Sequence, residues 1–191
     1  MYLADYHVHS AVSPDCSVAM TDMAAAAFAA GMQEVAFTDH LGMGRWDCAP
    51  LPPDHDWSPA REALARARAD WDGRLTLRLG VELGEISRAP ALAERFLALA
   101  PDLDFVIASV HGLPAYSWRD LALIQEKDEA ECRREIALYL DQVRQTALWG
   151  HFSVLGHLTL PLRYMNERRG FHATFDGFEA EMEEIFRILI R

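Results

Sequence analysis

Five short apolar runs in this chain each finish on a histidine or a glutamate, and that repetition limits the folds open to it. The first run leads into His7-Val8-His9. The others reach Thr38-Asp39-His40, Gly80-Val81-Glu82, Ser109-Val110-His111 and Gly156-His157. On a β-strand, residues i and i+2 project from the same face. His7 and His9 therefore emerge side by side as a ready pair of ligands for one transition metal. A single His-x-His is a common accident on surface strands, whereas five strand ends bearing the same chemistry form a pattern.

The apolar runs predict strands at about residues 3–7, 34–38, 75–83, 104–110 and 153–156. Helical stretches separate them. The first, about 21–30, is alanine-rich and stops at Gly31. The second starts near Trp57-Ser58-Pro59, where Ser58 can cap and Pro59 suits the first helical position. A third covers about 90–100 before Pro101, a fourth the long amphipathic stretch 128–149, and a fifth runs from about 176 to the end. Regular strand–helix alternation implies an α/β fold with a parallel sheet or barrel. Active sites of such barrels lie at the C-terminal strand ends, where all five motifs fall. Two irregular stretches, 41–56 and 112–127, also follow strand ends and could cover a site.

A length of 191 residues suits one domain with a sizeable core. The net charge of −11 argues against a nucleic-acid partner, because phosphate backbones demand a positive face. A small phosphorylated substrate stays compatible, since metal ions can supply local positive charge. Three scattered cysteines, Cys16, Cys48 and Cys132, make no disulfide framework and point to a reducing cytoplasm. No apolar stretch approaches the roughly 18 residues of a membrane span, and the N-terminus has no signal-peptide pattern.

The candidate metal ligands are His7, His9, His40, Glu82, His111 and His157, with Asp15 as a possible addition. Imidazole and carboxylate donors suit zinc, manganese and iron. A carboxylate such as Glu82 can bridge two ions through its two oxygens. Metals a few ångströms apart can bind phosphate between them and activate water. No Walker-type glycine loop is present.

Taken in order, Asp5-Tyr6-His7-Val8-His9-Ser10, Phe37-Thr38-Asp39-His40, Gly80-Val81-Glu82, 105–112 (FVIASVHG) and Val154-Leu155-Gly156-His157-Leu158 resemble successive motifs of the PHP (polymerase and histidinol phosphatase) family. The likeness is closest to its histidinol-phosphate phosphatases and spans essentially the whole chain. It implies a distorted (β/α)7 barrel, a multinuclear site of two or three divalent metals, and hydrolysis of a phosphomonoester, L-histidinol phosphate above all. Carried over by residue, His7 and His9 bind the first metal and Glu82 bridges it to a second. His111 and His157 complete the second, and Asp15 and His40 serve the third. A metal-bridging hydroxide, held by Glu82 and His111, attacks phosphorus. Arg163, just past the fifth strand end, is the candidate for gripping the substrate phosphate.

The chain departs from the family pattern in two places. No Asp-x-His pair follows His157, and Thr159 stands where relatives often carry Asp. With about five strands legible rather than seven, residues 1–191 read as a single PHP domain incomplete at its C-terminus. The remaining polar residues carry blander expectations. Asp39 is read as orienting a ligand ring, His55 as solvent-exposed, His151 and His172 as structural, and Cys16 as a small buried residue. Trp46 and Trp57 either shape an imidazole pocket or anchor their loop.

Overall fold

A computed structural model describes residues 1–43 and 54–190. In chain order its elements are β1 (Ala4–Val8), α1 (Met20–Ala29), β2 (Glu34–Phe37), β3 (His40–Gly42), α2 (Ser58–Trp71), β4 (Thr76–Gly84) and α3 (Pro90–Ala98). They continue with β5 (Phe105–Ser109), β6 (Gly112–Leu113), β7 (Arg119–Asp120), α4 (Glu129–Trp149), β8 (Val154–Leu155), α5 (Leu160–Arg163) and α6 (Glu179–Leu189).

The sheet runs β1-β2-β4-β5-β8, with every pairing parallel. These five strands form a curled half-barrel, as the alternation implies. β3 lies in a stretch expected to be irregular. It resumes the register of β2 on β4: Phe37 faces Leu79, and after a two-residue break His40 faces Glu82. The break is bridged by the Glu82 N–H, which donates to the Asp39 carbonyl at 3.1 Å. The second irregular stretch contains the antiparallel β6–β7 hairpin.

Helices pack their apolar faces on the outside of the curl. Met20, Ala24, Ala60, Leu64 and Ala67 of α1 and α2 meet Val35, Phe37, Leu77 and Leu79 of the sheet. Ile136, Tyr139, Leu140 and Val143 of α4 pack with Ile185 of α6 and Leu160 of α5. Capping defines the helix ends. Asp128 accepts from the Glu131 N–H at 2.8 Å to open α4, and Gly150, at φ 75°, closes it in the left-handed region. At α2 the cap is not Ser58, which makes no side-chain cap bond. Asp56 accepts from the Ser58 N–H at 2.9 Å instead, because Ser58 is already the first helical residue.

The structure corrects the expectations for His55 and Cys16 and selects the anchoring role for Trp57. His55 is half-buried, its ring edge-on to Trp57 at 4.6 Å and 5.9 Å from Phe96, and burial lowers its pKa. Trp57 is buried among Leu41, Val81 and Phe96, so it anchors the start of α2. Cys16 is only partly buried. Trp46 and Cys48 lie outside the described residues. His151 and His172 are exposed. No helix of the described residues is long and apolar enough to cross a membrane.

Candidate metal centre

β4 carries Glu82 into the centre of the curl, fully buried. Five imidazoles from four other segments converge on it, and its two oxygens divide them. Oε2 lies 3.2 Å from His7 Nε2, 3.1 Å from His9 Nε2 and 3.1 Å from His40 Nδ1. Oε1 lies 3.2 Å from His111 Nε2 and 2.8 Å from His157 Nε2. The β1 pair behaves as its spacing implies, with the His7 and His9 rings stacked at 5.3 Å. An extra residue between Asp5 and Val8 bulges β1 at this point, a common way to re-aim side chains beside a site.

Asp15 forms a second focus. Its carboxylate is 3.3 Å from His9 Nδ1 and 3.5 Å from His40 Nε2. His9 and His40 thus each span the two carboxylates, presenting opposite ring nitrogens to Glu82. Three groups have donor atoms close enough to share an ion: His7–His9–Glu82, His9–Asp15–His40 and His40–Glu82–His111. His157 joins the last through its Nε2, 3.1 Å from that of His111.

The electrostatics favour a cation here. Burial alone would raise the Glu82 pKa, yet the surrounding imidazoles hold it far below the usual carboxylate range. Burial pulls His40 down to about 4. It also opposes charge on His9 and His111, but Glu82 with Asp15 holds the first above its usual value, and Glu82 with Glu85 pushes the second up to about 10. Asp15 is lowered: burial works against this, and Ser13, His40 and His9 outweigh it. No lysine or arginine pairs with Glu82 among the described residues. Glu82 Oε2 makes no hydrogen bond although three ring nitrogens surround it. A buried carboxylate left in that state is costly, and a divalent ion among these nitrogen and oxygen donors removes the cost. The residues fit such an ion.

Supporting residues differ from expectation. Asp39 does not touch a ligand ring. It accepts from the Ser10 N–H at 2.6 Å and the Ser10 hydroxyl at 2.8 Å, fixing the turn that follows His9. Burial raises its pKa, and the two Ser10 bonds oppose that rise without cancelling it. Ser13 accepts from the His40 N–H at 3.1 Å. Tyr139 of α4 donates to the His157 carbonyl at 3.2 Å. Glu85 was not singled out from sequence, though its position three residues after Glu82 was a usable signal; its buried carboxylate accepts from the His111 and Gly112 N–H groups. Arg163 is exposed on α5 and pairs with Glu167 at 3.6 Å.

A curled parallel α/β sheet that gathers histidines and carboxylates at its C-terminal strand ends defines a half-barrel whose side chains could hold metal ions. The PHP domain model matches residues 5–191, and the chain belongs to that family. It is 31% identical over 163 residues to a probable histidinol-phosphatase of Deinococcus radiodurans, covering 85% of this chain and 62% of that protein. It is 29% identical over 167 residues to a histidinol-phosphatase of Lactococcus lactis, covering 84% of this chain and 58% of that one. The chain thus spans less than two thirds of either curated relative. Two solved structures share the fold with a TM-score of 0.75. One is the Lactococcus lactis histidinol phosphate phosphatase complexed with zinc, L-histidinol and phosphate, at 23% identity over 97% of this chain and 68% of that chain. The other is a putative histidinol phosphatase from Listeria monocytogenes, at 16% identity over 98% of this chain and 79% of that chain.

Proposed function

We propose that this chain carries a metal-dependent phosphomonoesterase centre that hydrolyses L-histidinol phosphate to L-histidinol and phosphate, a step of histidine biosynthesis in the cytoplasm. The observation that carries the reading is the division of Glu82: one oxygen faces His7, His9 and His40, the other His111 and His157. A carboxylate so placed suits bridging. The names of the curated relatives and the ligands of the Lactococcus complex support the substrate.

In this reading His7, His9 and Glu82 hold one divalent ion, and Glu82, His111 and His157 a second. Asp15 and His40, beside His9, offer a place for a third. Zinc, manganese and iron all suit these donors. Bound ions would polarise the phosphoryl oxygens and activate water. Glu82 and His111 position the attacking water. Arg163, exposed on α5 where it pairs with Glu167, grips the phosphate of the incoming substrate.

The test is phosphate release from L-histidinol phosphate by the chain reconstituted with manganese or zinc, with His9→Ala as the blank. Turnover well above the blank, and faster than on a panel of nucleotide and sugar phosphomonoesters, is the expected result. Faster turnover of another phosphomonoester would move the substrate assignment. A second reading of the same residues is a metal-binding module without catalysis. Tight metal binding with no turnover of any ester would select it.

A further inference from the structure

Glu85 is buried, exposing 3% of its surface, and stands in the left-handed region at φ 54° and ψ 38°. A non-glycine residue is rarely found there, and such a conformation persists only where its surroundings hold it. The surroundings are specific. The Glu85 N–H donates to the Ser109 carbonyl at 3.1 Å, tying the end of β4 to the end of β5. Its Oε1 accepts from the His111 N–H at 2.7 Å and the Gly112 N–H at 3.1 Å. The same oxygen lies 3.6 Å from His111 Nδ1.

His111 is therefore held from two sides. Its backbone is fixed by Glu85, and its Nδ1 faces that carboxylate and the Ser109 hydroxyl, 3.5 Å away. Its Nε2 is thereby turned toward Glu82 and His157. Gly84 completes the fit: a Cβ there would sit 3.1 Å from His111 Nδ1, so a larger residue would push the ring away. A carboxylate behind the far nitrogen of a ligating histidine fixes ring orientation and tautomer.

We infer that Glu85 is a positioning residue, which holds His111 so that Nε2, and not Nδ1, is offered to a metal beside Glu82. This rests on the metal-centre reading above. The left-handed turn is what folds the carboxylate back over β5, so the strain there serves the centre.

The test is titration of the full chain with cobalt(II), read by its visible absorption spectrum, alongside thermal unfolding of the metal-free protein. The variants are Glu85→Gln, which keeps an oxygen acceptor but loses the charge, and Glu85→Ala, which loses both. Glu85→Gln is expected to fold with little change in metal-free Tm, to bind cobalt about 10–100-fold more weakly, and to show an altered ligand-field spectrum. Glu85→Ala is expected to be weaker still. If it fails to fold, Glu85→Gln decides alone. Wild-type cobalt affinity and spectrum in a folded Glu85→Gln would overturn the inference. So would a fall in metal-free Tm with an unchanged spectrum, which a purely structural role predicts. Glu82→Gln separates the two levels of the argument. Loss of cobalt in that variant with none in Glu85→Gln overturns the role of Glu85 alone, while no cobalt binding by the unsubstituted chain overturns the metal centre itself.

Discussion

Glu82 Oε1 and His157 Nε2 lie 2.8 Å apart, although 75 positions separate the two residues in the chain. One belongs to the longest strand, the other follows β8 at the sheet edge, so the donor set is complete only when β8 has docked on β5. Bringing donors together in this way links ion binding to folding, because the unfolded chain has no preformed site.

Divalent ions should therefore raise the Tm of this chain. Free zinc at 100 times its dissociation constant stabilises by about 2.7 kcal/mol if it does not bind the unfolded state. EDTA should reverse the shift. In Glu82→Gln the shift should vanish, since the replacement offers no charge to either histidine set. Differential scanning calorimetry with and without zinc checks both, and an undiminished zinc shift in Glu82→Gln would count against the bridging role.

Asp39 tests how far the turn after His9 is held from below. Its carboxylate is buried and accepts two bonds from Ser10. Asp39→Ala strands those donors and should cost about 1–3 kcal/mol. Asp39→Asn, which retains an acceptor, should recover much of it. Urea unfolding of the metal-free proteins measures the difference, and equal stabilities for both variants would show that the bonds contribute nothing.

What was legible in the sequence follows from periodicity. The strand-end motifs could be read because each closes an apolar run, and His7 and His9 because two residues on a strand share a face. β3 escaped notice because it has three residues and continues β2 across a break, with no apolar run of its own. The β6–β7 hairpin is shorter still. Glu85 depends on a backbone turn that no side-chain pattern announces, and Asp39 looked like a partner for a ligand ring because only the fold shows that Ser10 lies nearer. The dual facing of His40, toward Glu82 and Asp15, arises only once β3 has paired with β4.

The N-terminal edge of the sheet carries an acid-sensitive contact that sequence also left hidden. Glu34 accepts from the Tyr2 hydroxyl at 2.6 Å, the Tyr6 hydroxyl at 2.5 Å and Arg78 Nε at 2.6 Å. These partners, Tyr2 first, lower its pKa from 4.5 to about 2. A carboxylate depressed in the folded state stabilises fully above its unfolded value and loses that contribution as pH falls toward the folded one. The window is therefore about pH 4.5 down to 2. Replacing both Tyr2 and Tyr6 by Phe should move the acid-unfolding midpoint, followed by circular dichroism, to higher pH. An unchanged midpoint would mean that solvent screens the contact away.

Glu135 works in the opposite sense. It sits on α4 with 1% of its surface exposed, and burial, then its bond to Glu126, raises its pKa well above the ordinary 4.5. Arg169 faces the same pair, 2.9 Å from Glu126 Oε2, and opposes the rise without cancelling it. The folded chain keeps a proton here that the unfolded chain releases above 4.5, so stability falls as pH climbs from 4.5 through the raised folded value. Glu135→Gln removes the proton from the balance while keeping the shape. The variant should lose less Tm than the unsubstituted chain between pH 6 and pH 9, in metal-free buffer where the histidine cluster is common to both. Parallel Tm–pH curves would place the proton elsewhere. A flatter curve for the variant would locate it on Glu135, behind the Glu126–Arg169 pair; Arg169 also reaches the Leu121 and Ala122 carbonyls at 3.3 Å and so fastens the segment that follows the β6–β7 hairpin, where the Leu121 N–H donates to the His111 carbonyl.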